Sequence, residues 1–323
     1  MSPDLPFPSH FDRQGLAARL TELAGRGIHI GTSSWKYAGW RGQLYDEARY
    51  VFRGKFSESR FERLCLAEYA EVFKTVCVDA AYYQFPSARY VDELMAQVPS
   101  DFLFSLKVTD AITVKRFPNL PRFGVRAGEP NAHFLNADLF VSAFLAPFEK
   151  HRSQVGTLLF EFSRFYPSDF ARGRDFVEAL DQFLGRLPRD WRYGVEIRNR
   201  NFLQDDYFSM LRLRDVAHVF NSWDAMPSIG QQLDMTGSVT ARDFVAARFL
   251  LKPGRKYEDA VKGFSPYDRI HEVNEEGRSA AARILQESMV EHARRKVFLY
   301  VNNRFEGNAL QTIVGMLAKA GMS

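Results

Sequence analysis

Two glutamates interrupt apolar runs in this 323-residue chain: Glu161 in LLFEF and Glu196 in YGVEIR. A carboxylate among apolar neighbours is costly unless it is hydrogen-bonded or paired with a cation. Arg198 and Arg248, the latter in VAARF, are the candidate partners. Two compatible readings stay open: an internal ion pair, or carboxylates that bind a ligand or serve it as general acid and base. Asp79, at the end of VCVD, joins Glu196 and Glu161 as a catalytic candidate. Lys107 in FSLKV suits an anion clamp with Arg198 and Arg248 better than a Schiff-base amine, which would need desolvation to lower its pKa. Trp35, Tyr37, Trp40, Tyr82 and Trp223 offer flat faces to a planar or sugar ring. The amides of Asn221, Asn302 and Asn303 complete the candidate binding residues, and the last two, just ahead of Glu306, serve equally well as caps for a final helix.

Other chemistries lack their residues. The seven histidines, at positions 10, 29, 133, 151, 218, 271 and 292, close no strand beside a carboxylate in metal-ligand spacing. Two cysteines, Cys65 and Cys77, are too few for a disulfide framework or a zinc site and read as small buried hydrophobes. G-x-S-x-G, P-loop and H-E-x-x-H signatures are absent. Paired glycosidase carboxylates are not evident, since the seventh strand-like run contains none. No cofactor is expected, although magnesium on Asp79, Glu161 and Glu196 is an option that oxygen ligands allow.

These residues are spread over nearly 270 positions, so a repeating architecture must gather them. Eight strand-like runs recur: 27–34, 75–80, 102–108, 156–162, 193–198, 217–221, 245–251 and 297–302. Helix-like runs fall at 12–24, 59–72, 136–151, 176–187, 205–214, 267–294 and 306–319. Parallel strands joined by crossovers close most simply into an α/β, (β/α)8 TIM-type barrel of one domain, residues 27–323. Residues 1–26 read as an extension whose helix closes the barrel floor. A doubly wound sheet would need a glycine-rich phosphate turn after the first strand, and GTSSWKYAGWRG is not one. In a barrel the carboxyl ends of the strands carry the chemistry, and the polar residues above cluster there.

Composition narrows the partners. Hydrophobic residues at 46% and charged ones at 25% describe a globular chain rather than a disordered one. Twenty-nine phenylalanines exceed what a core needs, so some aromatics line a cleft. A net charge of +4 is too mild for a dedicated nucleic-acid binder. Basic residues nevertheless gather in three loops: Arg41, Arg49, Arg53 and Lys55; then Lys115, Arg116, Arg122 and Arg126; then Lys252, Arg255 and Lys256. A small anionic ligand is the expected partner and nucleic acid the alternative, with oligomeric state open. The first ten residues have no signal-like apolar core and no run of about 18 apolar residues occurs, which points to a cytoplasmic protein away from membranes.

Five ordered motifs, GTSSWKYAGWRGQLY, VDAAYYQFP, FSLKV, GVEIRNRNF and YVNNRFEGNAL, resemble the YecE-like family, the domain of unknown function seventy-two, from about Gly27 to Leu317. The resemblance implies a TIM-type barrel, usually cytoplasmic, without established activity or cofactor. This chain departs from the family pattern where histidine is common, with Leu250 in ARFLLKPGRKY and Asn199 after Arg198, and Phe202 stands where tryptophan is common. A polar residue is common at the Asp79 position. From the residues themselves, the expected function is an enzyme, a hydrolase or lyase acting on an anionic, phosphorylated sugar or nucleotide. A nucleic-acid-binding or -processing barrel and a non-catalytic small-molecule binder are the alternatives.

Overall fold

The computed structural model describes residues 11–290 and 295–322. Eight parallel strands close into a barrel: β1 (Ile28–Thr32), β2 (Thr75–Val78), β3 (Leu103–Lys107), β4 (Val155–Phe162), β5 (Tyr193–Ile197), β6 (Ala217–Ser222), β7 (Phe244–Phe249) and β8 (Lys296–Val301). Each pairs with the next, and β8 returns to β1. All eight expected strands are present, with bounds within two residues of those read from the sequence. The seam between β1 and β2 is narrow, with Thr32 opposite Val76. A Cβ on Gly31 would come within 2.2 Å of the Thr75 carbonyl oxygen, so only glycine lets these two backbones approach there.

Strand periodicity divides the core in two. Val76, Phe104, Leu158, Phe160, Val195, Phe220, Phe249 and Leu299 face outward into the apolar layer under the helices. Cys77, Leu103, Leu159, Val219, Ala246, Phe298 and Tyr300 form a separate cluster, which fills the barrel interior. Tyr300 donates to Ser105 Oγ at 2.6 Å and lies 2.9 Å from Thr75 Oγ1, while Ser105 Oγ accepts from the Thr157 amide at 2.9 Å. Strands β8, β2, β3 and β4 are thereby tied across the interior.

The helices depart more from expectation. Arg13–Gly25, with Leu16, Leu20 and Leu23 buried, packs against β1 and against Glu58–Val72. The single helix expected over 136–151 is three short pieces, Ala137–Leu139, the wider-wound Phe140–Leu145 and Ala146–Gln154, because Pro147 has no amide hydrogen to donate. Of the helix expected over 267–294 only Glu275–Met289 forms, capped by Asn274, which accepts from Gly277, while 291–294 lie outside the described residues; Tyr257–Phe264, ahead of that run, is a separate helix that was not anticipated. Ala88–Met95 and Ile229–Leu233 were not anticipated. The last helix starts at Ala309 rather than at 306, capped by Asn308, while Glu306 is buried against Arg278 at 2.7 Å. Cys65 and Cys77 are free and buried, as their apolar surroundings suggest. Among the described residues no helix is long and apolar enough to cross a membrane.

Candidate functional site

Two residues above the interior cluster, the inward positions change character. Asp79, Lys107, Glu161, Glu196, Asn221 and Arg248 follow Cys77, Ser105, Leu159, Gly194, Val219 and Ala246 at the strand period of two, so one polar layer replaces an apolar one at the carboxyl ends. Glu161 and Glu196 stand opposite each other in register, as do Asn221 and Arg248. Two facing carboxylates repel unless cations intervene, and the cations are in place. Arg248 Nη1 lies 2.7 Å from Glu161 Oε2 and 2.8 Å from Glu196 Oε2. Arg198 Nη2 lies 2.5 Å from Glu196 Oε1 and 3.3 Å from Glu161 Oε2, and its Nη1 donates to Asn221 Oδ1 at 3.0 Å. Lys107 Nζ sits 2.9 Å from Glu161 Oε1, and Arg248 Nη2 is 3.6 Å from Asp79 Oδ1.

Three carboxylates thus face three cations, and the layer is electrically balanced. Burial pushes the Glu161 carboxyl up, but Lys107, Arg198 and Arg248 outweigh it and hold the pKa well below the usual range. Burial likewise pulls the Lys107 ammonium down, but Glu161, Asp79 and Tyr82 raise it beyond its ordinary value. Lys107 therefore stays protonated, which suits an anion clamp and not a Schiff-base nucleophile. Glu196 has no exposed surface, whereas the Asp79 side chain is 41% exposed and the Glu161 side chain 12%. Asp79 is the carboxylate of this layer most open to a ligand.

Aromatic residues rim the layer. Lys107 Nζ is 3.7 Å from the centre of the Tyr82 ring, and the Arg198 guanidinium is 4.3 Å from that of Trp223. Trp223 neighbours Tyr257, on whose ring Arg304 stacks at 4.7 Å. Arg304 has no ion pair among the described residues, and its Nε is buried without a partner. Burial raises the Tyr37 pKa to about 12, with the Arg304 charge opposing and the Asp79 charge reinforcing the shift. Arg304, in YVNNRFEGNAL, was not singled out from the sequence; the signal is an arginine in the loop four residues past Tyr300, the last inward-facing position of β8.

Other candidates lie deeper or aside. Trp40 is enclosed, with its Nε1 donating to Asn303 Oδ1 at 3.3 Å. Asn303 Oδ1 also accepts from the Ala309 amide at 2.7 Å, and Asn302 Oδ1 from the Arg304 amide at 3.0 Å, so both amides order the turn into the last helix. Trp35, with its buried Nε1 unpartnered, lines a cavity of about 330 Å³ with Asp79, Glu62, Arg63 and Tyr90. Asn199, where histidine is common, exchanges two hydrogen bonds with the Phe165 backbone at 2.8 and 3.0 Å and ties the loops after β4 and β5. Leu250 and Phe202 are buried.

The three basic loops differ. Arg41 pairs with Glu47, Arg49 with Glu71 and Glu68, and Lys252 and Arg255 both with Glu272. Lys115, Arg116, Arg122 and Arg126 have no such pairs among the described residues. Unneutralised charge is concentrated in the loop after β3. No group of three His, Cys, Asp or Glu side chains among the described residues is placed to hold a metal ion, and Asp79, Glu161 and Glu196 each face a guanidinium or ammonium instead; His10 and His292 lie outside the described residues.

Residues 29–323 match the profile of the family described as "Protein of unknown function DUF72". Solved structures agree in fold. A DUF72 family protein from Enterococcus faecalis superposes with a TM-score of 0.61 at 19% identity, covering 92% of this chain and 96% of that one. A DUF72 family protein from Thermotoga maritima gives 0.56 at 19% identity, covering 91% and 98%. No curated protein matches.

Proposed function

We propose that this chain, which belongs to the DUF72 family of proteins of unknown function, is an enzyme that binds an anionic metabolite at the carboxyl-end mouth of its barrel and acts on it by proton transfer, as a hydrolase or lyase. The observation that carries the reading is Asp79, an exposed carboxylate set between Arg248 and the surroundings of the unpaired Arg304. A carboxylate within reach of a ligand can take or give a proton, and flanking cations hold the ligand's negative charge and stabilise charge that develops in the transition state. In this reading Asp79 is the acid/base group, and Arg304, Arg248 and Lys107 form the anion clamp. Trp223, Tyr257 and Tyr37 wall the ligand. Glu161 and Glu196 keep the cations in place, Glu161 because its charge is already committed and Glu196 because no ligand reaches it.

The test has two stages. A thermal-shift panel compares phosphorylated and carboxylated metabolites with neutral counterparts; a ligand at 100 times its Kd stabilises by about 2.7 kcal/mol. Anionic hits are then assayed for turnover in the wild type and Asp79→Asn. Loss of turnover with retained stabilisation supports the acid/base assignment, and stabilisation by neutral compounds alone refutes the anion site.

A further inference from the structure

A cleft between the loops after β3 and β4 takes no part in the reading above. It encloses about 560 Å³, within the range of roughly 300–1,000 Å³ seen for small-molecule sites. Lys115, Arg116, Arg164, Tyr166 and Asp169 line it. None of the three cations has an ion pair among the described residues. Lys115 Nζ stands 3.5 Å from the centre of the Phe170 ring and 5.7 Å from that of Phe134, so ring faces position the ammonium without supplying a full counter-charge. Burial lowers its pKa below the ordinary value, against the opposing pull of Asp169 and Asp175. Arg116 is tethered by one donated bond, from Nη1 to the Gly128 carbonyl at 2.8 Å, and a guanidinium keeps further donors beyond that one. The Arg164 guanidinium lies 5.6 Å from the centre of the Tyr166 ring, and Tyr166 is exposed. Asp169 accepts from the Tyr166 amide at 2.9 Å, which fixes the turn.

We infer that this cleft is a second binding site, one that takes a phosphate monoester, with the phosphate between Lys115, Arg116 and Arg164 and the body of the ligand along Tyr166. Three cations against one carboxylate leave an excess of two positive charges, which matches the roughly −1.5 to −2 of a phosphate monoester at neutral pH better than a carboxylate's single charge. A polynucleotide fits less well, because the cations of the first and third basic loops, Arg41, Arg49, Lys252 and Arg255, are already paired and leave no continuous track for a backbone. The inference is independent of the mouth, because Asp79 and Arg304 do not line this cleft.

The full chain is treated with pyridoxal 5′-phosphate, whose aldehyde condenses with a lysine amine, and the imine is fixed with borohydride and located by peptide mapping. Lys115 is expected to be labelled ahead of the more exposed Lys36 and Lys256. It should react about tenfold faster than with pyridoxal, which lacks the phosphate, the factor that about 1.4 kcal/mol of phosphate contact yields. Inorganic pyrophosphate should protect Lys115. Arg164→Ala, at an exposed position, should slow the labelling about tenfold with an unchanged circular dichroism spectrum, while Arg304→Met leaves it intact. Equal rates with and without the phosphate, or labelling ranked only by lysine exposure, overturns the inference; an effect of Arg304→Met instead of Arg164→Ala moves the phosphate to the mouth and overturns it as well.

Discussion

Removing one member of the charged layer should cost far more than removing a matched pair. Glu196 has no exposed surface and lies 2.5 and 2.8 Å from two guanidinium groups. Glu196→Gln keeps the shape but leaves three cations facing two carboxylates. Breaking a buried ion pair by one partner costs about 3–5 kcal/mol, a large share of a typical stability of about 5–15 kcal/mol. Arg248→Met should cost a similar amount for the opposite reason: Glu161 and Glu196, opposite in register, keep only Arg198 and Lys107 between them. With Arg248 gone, protonation relieves the repulsion between the facing carboxyls, so the Arg248→Met deficit should shrink as pH is lowered. The double variant restores charge balance, and its loss should fall short of the sum of the singles by about 2 kcal/mol or more. Urea unfolding followed by circular dichroism and by tryptophan fluorescence measures all three, and agreement of the two probes justifies the free energies. Strict additivity, or single losses under about 1 kcal/mol, would refute a tightly coupled layer.

Three further expectations concern the scaffold. Burial lowers the pKa of both His29 and His218 to about 4; the unfolded chain, with its histidines near about 6.5, takes up protons first as pH falls, so stability declines from about pH 6.5 towards 4, by up to about 3 kcal/mol for each residue. Glu161, whose folded pKa is depressed, adds a further loss below its unfolded value of about 4.3. Unfolding free energies at pH 7, 5.5 and 4 check this, and an unchanged slope in His218→Gln would remove His218 from the account. Gly31→Ala should destabilise by more than about 2 kcal/mol, because its Cβ meets backbone and cannot be relieved by a side-chain rotation; a neutral result would mean that the β1–β2 seam is looser than its geometry. Asn199→Ala removes both bonds to Phe165, and hydrogen exchange of the 163–170 backbone should rise while the barrel strands stay protected.

The strands were legible because each is a short apolar run bounded by polar residues, and the period of two then fixes which side chains share a layer. Placing Asp79, Lys107, Glu161, Glu196, Asn221 and Arg248 together followed from that arithmetic. What alternation does not carry is depth: Trp40 and Asn303 stand in motifs as polar and aromatic as those of Trp223, yet they are enclosed, because the loop after β1 folds back over the last turn. Nor does residue type show which charges are already paired. Arg255 and Arg304 look alike in sequence, and only the fold puts Glu272 beside Arg255 while Arg304 pairs with no carboxylate among the described residues. The expected long helix over 267–294 failed for a legible reason, since Asn274 ahead of two glutamates is an N-terminal cap.

The hydroxyls of Thr75, Ser105 and Tyr300 meet across separations of 195 and 225 residues. Assembly with β8 one position out of step would turn Tyr300 outward and set Leu299 or Val301 in its place, removing the shared phenol from both hydroxyls and leaving Thr75 only its bond to the Leu103 carbonyl and Ser105 only the Thr157 amide, at about 0.5–1.5 kcal/mol for each bond lost. The alignment that seats Tyr300 on both hydroxyls is also the one that sets Arg248, its register partner, at the height of the charged layer, so the chamber below and the mouth above share a single register.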